Sequence, residues 1–227
     1  MLSASTPVGA DLIIAMNEKL PKLKAIVQLY GMSEAGSICN EIDAPKGSKP
    51  GSSGLPCNGI ILKVVDLQTR KPLGPNERGE VCIKGPSVLT AYLHNANPDV
   101  KDEEGFFKTG DIGYYDEDGY FFIINRIKEL IKFNDFSLAP AEYEAILLQH
   151  PTVRNAGLVG QPHPKHGHVP VAFVELQPGA SISPQELVDY VNSKVSARLQ
   201  LAGGVRFVEK IPLGAGEKLD RKALQNL

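Results

Sequence analysis

A single lysine near the end of the chain stands in a glycine-rich stretch. In PLGAGEKLDRKAL, at 212–224, Lys218 lies between a proline and a charged helix start. A lysine ammonium on a mobile loop can stabilise developing negative charge and then leave the site. Taken alone, the residue is also typical of a solvated surface lysine. The interpretation of Lys218 therefore depends on the other segments that contain candidate functional residues.

A second candidate stretch, YGMSEAGS at 30–37, carries a ring, a flexible glycine, two hydroxyls and a carboxylate. These groups suit a nucleotide, because the Tyr30 ring can stack on a base and a hydroxyl such as that of Ser33 can bond phosphate. Glu34 can hold Mg²⁺ through hard carboxylate oxygen. The alternative is a surface turn in which Tyr30 packs and Glu34 is solvated.

A third candidate is Asp111, which precedes a predicted hairpin in FFKTGDIGYYDEDGYFFI at 106–123. A carboxylate in a tight turn can accept hydrogen bonds from both hydroxyls of a ribose. An ordinary turn aspartate is the competing interpretation.

Three histidines, His163, His166 and His168, occur within HPKHGH. Such imidazoles can collect Zn²⁺ or Ni²⁺. However, the proline and glycine predict a turn between two strands, and no carboxylate or cysteine stands alongside. A solvated loop is therefore the favoured interpretation over a metal site.

Composition restricts the function classes. The chain has 227 residues, 42% hydrophobic and 22% charged, with a net charge of -2. This balance argues against nucleic-acid binding and against a strongly anionic membrane partner, and it favours small-molecule partners. No apolar run approaches the roughly 18 residues of a membrane span. Cys39, Cys57 and Cys82 are widely spaced and are interpreted as buried or free thiols in a reducing compartment.

The elements that must position these groups fall into three regions. Residues 1–40 predict an α/β unit, with a helix at 10–20 and a strand at 24–30. Residues 41–125 consist of short β-prone runs separated by turn signals, which is typical of antiparallel sheet. At Asn125–Arg126 the pattern changes from short β-prone runs to alternating helices and strands, which predicts a domain boundary.

Residues 126–227 alternate helices with strands and predict a small α+β domain. PAEYEAILLQH (140–150) begins with proline, which suits the first helical position. SPQELVDYVNSKVSARL (183–199) opens with the capping-box pattern Ser183 to Glu186. The strands are expected in VPVAFVEL and VRFVE.

Together these stretches resemble one family. YGMSEAGS, ERGEVCIKGP, TGDIGYYDEDGYFFIINRIKELIK, LAPAEYEAILLQHP and GEKLDRKAL occur in the order and spacing of adenylate-forming enzymes. The chain resembles the acyl-CoA synthetase, 4-coumarate-CoA ligase and firefly-luciferase group nearly from end to end. That group joins a carboxylate to ATP as acyl-AMP and then transfers the acyl group to coenzyme A, or oxidises it in luciferases.

The resemblance implies a role for each site residue of the first domain. Tyr30 would lie against adenine, Ser33 near the phosphates and Glu34 on the magnesium. Asp111 and Arg126 would hold the ribose.

In the second domain the resemblance implies two lysines that act in turn. Lys218 matches the lysine of the terminal turn, which in relatives binds the acyl-adenylate oxygens in the first half-reaction. Lys132 matches a lysine that relatives present from the opposite face of the small domain after it rotates.

Several positions depart from the family pattern. No phosphate loop precedes Tyr30, so we expect Met1 to begin inside the large domain and this chain alone to be inactive. Leu29 replaces a glycine, and Asn125 stands at the hinge where aspartate or lysine is usual. Asp135 and Glu217 replace glycines in the second domain. Asp135 would crowd or repel the thiol arm of coenzyme A, and Glu217 would stiffen the terminal turn and weaken phosphate binding. We therefore expect coenzyme A transfer to be affected more than adenylation.

The sequence therefore predicts an ATP-dependent acid–CoA ligase acting on a fatty or aromatic carboxylate, with ATP, Mg²⁺ and coenzyme A as cofactors. A catalytically silent nucleotide- or partner-binding remnant and a luciferin monooxygenase are the alternatives. The expected compartment is the cytoplasm, since the chain ends Gln225, Asn226, Leu227 and not in the peroxisomal Ser-Lys-Leu.

Overall fold

The structure is a computed structural model that divides the chain into two compact units. It describes residues 2–3, 10–20, 22, 26–42, 44–92, 98–134, 136–214 and 218–227. The first unit is Met1–Lys128 and the second is Glu129–Leu227. The boundary predicted at Asn125–Arg126 lies within the first unit, and the assignment of the units as domains stays a prediction. Within the described residues, no helix has both the length and the apolar character needed to cross a membrane.

A helix and a small mixed sheet open the first unit. Helix α1 spans Ala10–Lys19, and the strands are β1 (Leu2–Ser3), β2 (Val27–Met32), β3 (Gly36–Asn40) and β4 (Leu55–Pro56). Their order is β1-β2-β3-β4, with β1 parallel to β2 and the remaining pairs antiparallel. The predicted helix and the predicted strand that leads into Gly31 are confirmed. The α/β character expected of this region follows from these elements.

An antiparallel meander forms the rest of the first unit, as its turn signals predicted. Its strands are β5 (Ile61–Val65), β6 (Gly79–Lys84), β7 (Phe107–Tyr115) and β8 (Phe121–Arg126), in sequential order. The β7–β8 turn forms because the Asp116 side chain accepts from the Asp118 and Tyr120 amides at 2.9 and 3.0 Å. Gly119 has φ +83°, a conformation that glycine adopts without a steric penalty.

The second unit is the predicted α+β module. Its elements are β9 (Ile131–Phe133), β10 (Phe136–Leu138), α2 (Pro140–Leu148), β11 (Val153–His163), β12 (Gly167–Leu176), α3 (Pro184–Asn192), β13 (Val205–Phe207) and α4 (Arg221–Gln225). The sheet order is β10-β9-β12-β11, and β13 runs parallel to β12. The predicted Pro140 start of α2 and the capping box between Ser183 and Glu186 are both confirmed.

Helix α3 is shorter than the stretch 183–199 that the sequence assigned to it. It ends at Asn192, where the Asn192 side chain accepts from the Leu201 amide at 2.8 Å. The chain then turns, and a short 3-10 helix follows at Ala197–Leu199. Asparagine side chains compete with the backbone for hydrogen bonds, so they favour helix ends over helix interiors.

A charged clamp holds the last helix of the second unit against the sheet and α2. The Arg221 guanidinium contacts both oxygens of Glu144, donates to the Leu158 carbonyl at 2.8 Å and reaches Glu129 at 3.3 Å. Burial acts to lower the pKa of Arg221, but Glu144 and Glu129 raise it overall. The clamp therefore joins the first residue of the unit to α2, β11 and α4, the helix that follows Lys218.

Removing this guanidinium should destabilise the second unit. We expect Arg221→Ala to lower the free energy of unfolding of this unit by about 2 kcal/mol, because Glu144 is left partly buried without its bidentate partner. Arg198→Ala, at an exposed position of the same unit, is the control and should change it by less than about 0.5 kcal/mol. Denaturant-dependent hydrogen exchange of the β11 amides measures both values. Equal effects of the two variants would contradict a stabilising role for the clamp.

Candidate functional site

The predicted nucleotide-binding stretch forms the tight hairpin between β2 and β3. The hairpin pairs Met32 with Gly36, which has φ +70°. A Cβ at Gly31 would lie 2.5 Å from the Gly36 carbonyl oxygen, so only glycine fits this close approach. Ser33 is exposed at the tip and Glu34 is half-buried beside it. The local sequence thus presents a hydroxyl and a carboxylate together on one turn.

The Asp111 carboxylate lies where two other predicted site residues meet. The Tyr30 hydroxyl donates to Asp111 Oδ2 at 2.7 Å, and Arg126 Nε lies 3.0 Å from Asp111 Oδ1. Arg126 reaches it because strand β8 pairs Arg126 with Asp111 directly. Tyr30 reaches it from the other sheet. Three of the predicted residues are therefore assembled around one carboxylate.

The burial of these groups differs. Asp111 is 4% exposed and Tyr30 is 8% exposed, whereas the Arg126 side chain is 48% exposed. Burial, followed by the neighbouring Asp111 carboxylate, raises the pKa of Tyr30 far above its ordinary range. Tyr30 thus remains a neutral hydroxyl donor at physiological pH. Its ring packs in the core of the meander, and its predicted place against adenine stays a prediction.

A residue that the sequence analysis missed contacts the predicted magnesium ligand. The Tyr92 hydroxyl donates to Glu34 Oε1 at 2.8 Å, and the Leu89 amide donates to the Glu34 carbonyl at 2.7 Å. The hydrogen bond to Glu34 raises the pKa of Tyr92. Tyr92 stands 58 residues further along the chain, so no local spacing could have connected it with Glu34. Its hydroxyl orients the carboxylate of that turn.

The two predicted lysines lie on different elements of the second unit. Lys132 is exposed on β9, and its ammonium donates to Ser137 Oγ at 2.6 Å. Lys218 is exposed next to a short bridge between Leu213 and Leu219. The Gly214 amide donates to the Lys218 carbonyl at 2.7 Å.

Two predicted departures in this unit, Asp135 and Glu217, lie outside the described residues. The departure at Asn125 is described: its side-chain Nδ2 is buried on β8 without a hydrogen-bond partner among the described residues. Leu29 lies half-buried on β2, opposite Asn40.

The histidine and cysteine motifs contribute little to this site. The predicted turn between strands is confirmed, since β11 ends at His163 and β12 begins at Gly167. The His163 and His166 rings stack 4.7 Å apart, and His166 Nδ1 contacts Asn134 Oδ1 at 2.6 Å. The cysteines are free, as expected, with Cys39 and Cys82 buried and Cys57 half-buried. The described residues contain no group of three or more His, Cys, Asp or Glu side chains that could hold a metal ion.

Comparison with known proteins identifies the family. The family described as AMP-binding enzyme matches residues 1–93, and the AMP-binding enzyme C-terminal domain matches residues 142–218. Luciferin 4-monooxygenase from Luciola mingrelica is 44% identical over 225 residues, covering 96% of this chain and 41% of that protein. Probable 4-coumarate–CoA ligase 3 from Dictyostelium discoideum is 41% identical over 229 residues, covering 100% of this chain and 41% of that protein.

A solved structure agrees with these relatives. O-succinylbenzoate–CoA synthetase from Bacillus subtilis, in complex with the acyl-adenylate intermediate OSB-AMP, superposes with a TM-score of 0.85 at 31% identity. The match covers 100% of this chain and 46% of that one. The chain thus spans less than half the length of the proteins it matches. In fold and in sequence, the chain belongs to the family of adenylate-forming, AMP-binding enzymes.

Proposed function

We propose that this chain contributes to an ATP-dependent acid–thiol ligase, and that Asp111 holds the ribose of the nucleotide. The observation that carries the proposal is the shared carboxylate. Tyr30 donates a hydrogen bond to one oxygen of Asp111, and Arg126 forms an ion pair with the other. A carboxylate accepts hydrogen bonds from hydroxyl groups, so a carboxylate held in place by Tyr30 and Arg126 is a suitable acceptor for the hydroxyls of a ribose.

The chemistry proposed for the whole enzyme has two steps. In the first, a carboxylate oxygen of the substrate attacks the α-phosphorus of ATP, the bond to the β-phosphate oxygen breaks, and pyrophosphate leaves. In the second, the thiol of coenzyme A loses its proton and attacks the acyl carbonyl, and AMP leaves. The substrate is a fatty or aromatic carboxylate. The acyl-adenylate bound by the Bacillus synthetase supports the first step by similarity.

The turn carrying Glu34 suits a magnesium–nucleotide complex. Mg²⁺ binds to one or two carboxylates together with substrate phosphates, so a single carboxylate beside the exposed Ser33 hydroxyl is a fitting donor set. Among the described residues, Glu34 accepts a side-chain hydrogen bond from Tyr92 at Oε1, and Oε2 would be the oxygen that holds the metal. A bound Mg²⁺ would neutralise phosphate charge at this turn. Ser33 would donate to a phosphate oxygen.

The exposed lysines suit transient charge stabilisation. An ammonium on the loop at Lys218 can approach the oxygens of the acyl-adenylate and withdraw afterwards. Lys132, which is exposed on β9, would act in the thioester step.

The similarity to luciferin 4-monooxygenase favours a second candidate, the oxygenation of luciferin. The two candidates differ in the second step, which uses either molecular oxygen or coenzyme A. A chimera that joins the amino-terminal part of the Luciola protein to this chain distinguishes them. Oxygen consumption with light emission favours oxygenation, and thioester formation favours the ligase. A chain that binds AMP but supports neither step in the chimera is the silent nucleotide-binding remnant.

Nucleotide binding by the 227-residue chain tests the ribose assignment directly. We expect the chain to bind AMP and Asp111→Asn to weaken binding about tenfold, since one acceptor oxygen becomes a donor amide. Asp118→Asn changes an exposed carboxylate of the β7–β8 turn and should leave the affinity unchanged. Calorimetric titration measures all three dissociation constants. Absence of AMP binding, or equal affinities for the three proteins, would contradict the proposal.

A second prediction concerns Tyr92. Tyr92→Phe should weaken binding of Mg²⁺–ATP by about three- to tenfold, because Glu34 loses the hydrogen bond that orients it. Binding of AMP without metal should be unchanged. Tyr115→Phe, which removes a 3.2 Å hydrogen bond to the Leu73 carbonyl, is the matched control. If Tyr92→Phe weakened both nucleotides equally, its hydroxyl would not act through the metal carboxylate.

A third prediction separates the two lysines. In a chimera carrying the amino-terminal part of the Dictyostelium ligase, Lys218→Ala should slow acyl-AMP formation by about 10²–10³-fold, the scale of one lost electrostatic donor. Thioester formation from pre-made acyl-AMP should be nearly unchanged. Lys132→Ala should show the opposite pattern. The half-reactions are followed by pyrophosphate exchange and by thioester formation with 4-coumarate, and equal losses in both would contradict separate roles.

A further inference from the structure

Strand β7 carries a bulge immediately before the site carboxylate. Strand β6 pairs Glu80 with Ile112 and Cys82 with Lys108, so the segment 109–111 lies opposite the single residue Val81. Within this bulge, Thr109 Oγ1 donates to the Val81 carbonyl at 2.6 Å and accepts from the Asp111 amide at 3.0 Å. The bulge therefore determines the direction in which the Asp111 side chain leaves the strand.

A second buried carboxylate holds the middle of this bulge. The Gly110 amide donates to Glu80 Oε1 at 3.0 Å, and Arg70 Nη1 contacts Glu80 Oε2. Gly110 has φ +71°, a conformation that residues with a side chain rarely adopt. In this conformation the Gly110 amide points to the Glu80 side chain. The Glu80 carboxylate accepts the hydrogen bond that a backbone carbonyl of the neighbouring strand would otherwise accept.

The energetic cost of Glu80 argues for a purpose beyond packing. Glu80 is 5% exposed, and the next three residues of β6, Val81, Cys82 and Ile83, are fully buried and apolar. An apolar residue at this position would avoid the desolvation of a carboxylate, which costs several kcal/mol per ion. The compensating cation is supplied by Arg70, which itself adopts φ 60°, an unfavourable conformation for a residue other than glycine. The desolvation of Glu80 and the unfavourable φ of Arg70 therefore both accompany the contact between Glu80 and the Gly110 amide. That contact fixes the bulge beside Asp111.

We propose that Glu80 is a positioning residue, which fixes the bulge 109–111 through the Gly110 amide so that Asp111 faces the hydroxyls of a bound ribose. Glu80 acts through Gly110 and Asp111 and touches no nucleotide. The inference rests on the proposed function, since it requires that Asp111 bind a ribose diol. Arg70 balances the Glu80 charge from the turn that follows β5.

The test compares two nucleotides that differ only in the groups that Asp111 would bind. AMP carries both ribose hydroxyls, and 2′,3′-dideoxy-AMP carries neither. Glu80→Met keeps a side chain of similar length but removes the acceptor for Gly110. We expect it to weaken AMP binding about tenfold and to leave dideoxy-AMP binding unchanged. Glu80→Gln retains an acceptor oxygen and should restore nearly the full AMP affinity.

A backbone variant provides an independent measurement should Glu80→Met fold poorly. A Cβ at Gly110 would meet no atom within 4 Å, so Gly110→Ala strains only the positive φ. It should also weaken AMP binding without affecting dideoxy-AMP binding. Gly179→Ala is the matched control, because Gly179 has φ +78° and equally open space in the second unit. It should leave both affinities unchanged.

The outcomes separate this inference from the proposed function. If the unmodified chain binds AMP no better than dideoxy-AMP, the ribose role of Asp111 is wrong, and the positioning role of Glu80 is wrong with it. If the unmodified chain prefers AMP and Glu80→Met keeps that preference, only the positioning role is overturned. Equal losses for both nucleotides in Glu80→Met and Gly110→Ala would also overturn it, since they would indicate a general structural effect.

Discussion

The organisation of the first unit depends on the pairing of one buried carboxylate, that of Asp111. A carboxylate removed from water costs several kcal/mol unless a cation and hydrogen-bond donors compensate it. Here the cation is Arg126, on the adjacent strand of the same sheet, and the neutral donor is Tyr30, from the other sheet. The requirement to satisfy one side chain therefore connects the hairpin of the first sheet to the β7–β8 pair of the second.

The candidate site residues of the two units differ in their exposure to solvent. In the first unit the Asp111 and Glu80 carboxylates are buried, and each is paired with a partly exposed arginine, Arg126 and Arg70 respectively. Such groups are held in place before a ligand arrives, and a preorganised charge costs no rearrangement during a reaction. In the second unit Lys132 is exposed, and so is Lys218. This contrast is consistent with the proposed roles, in which the groups of the first unit hold the nucleotide and the two lysines act as transient cations.

Local rules explain which elements could be predicted and which could not. The turn residues between the strands of the meander, the proline at the start of α2 and the capping box of α3 were predicted correctly, because each depends on residues within a few positions. The end of α3 was predicted too late. It depends on Asn192, whose side chain binds the Leu201 amide only after the chain has folded back.

By itself, the sequence determined the strand and helix pattern, the family and the residue types of the candidate site. These follow from the periodicity of hydrophobic residues, the positions of turn and capping residues, and the order of the motifs. Only the tertiary structure decided that Tyr30 donates to Asp111, 81 residues away, and that Tyr92 orients Glu34. It also decided that Glu80 lies against the bulge and not in an apolar strand core. The physical reason is that a buried polar group must find its partners in space, and those partners come from whichever strands the packing of the sheets brings near.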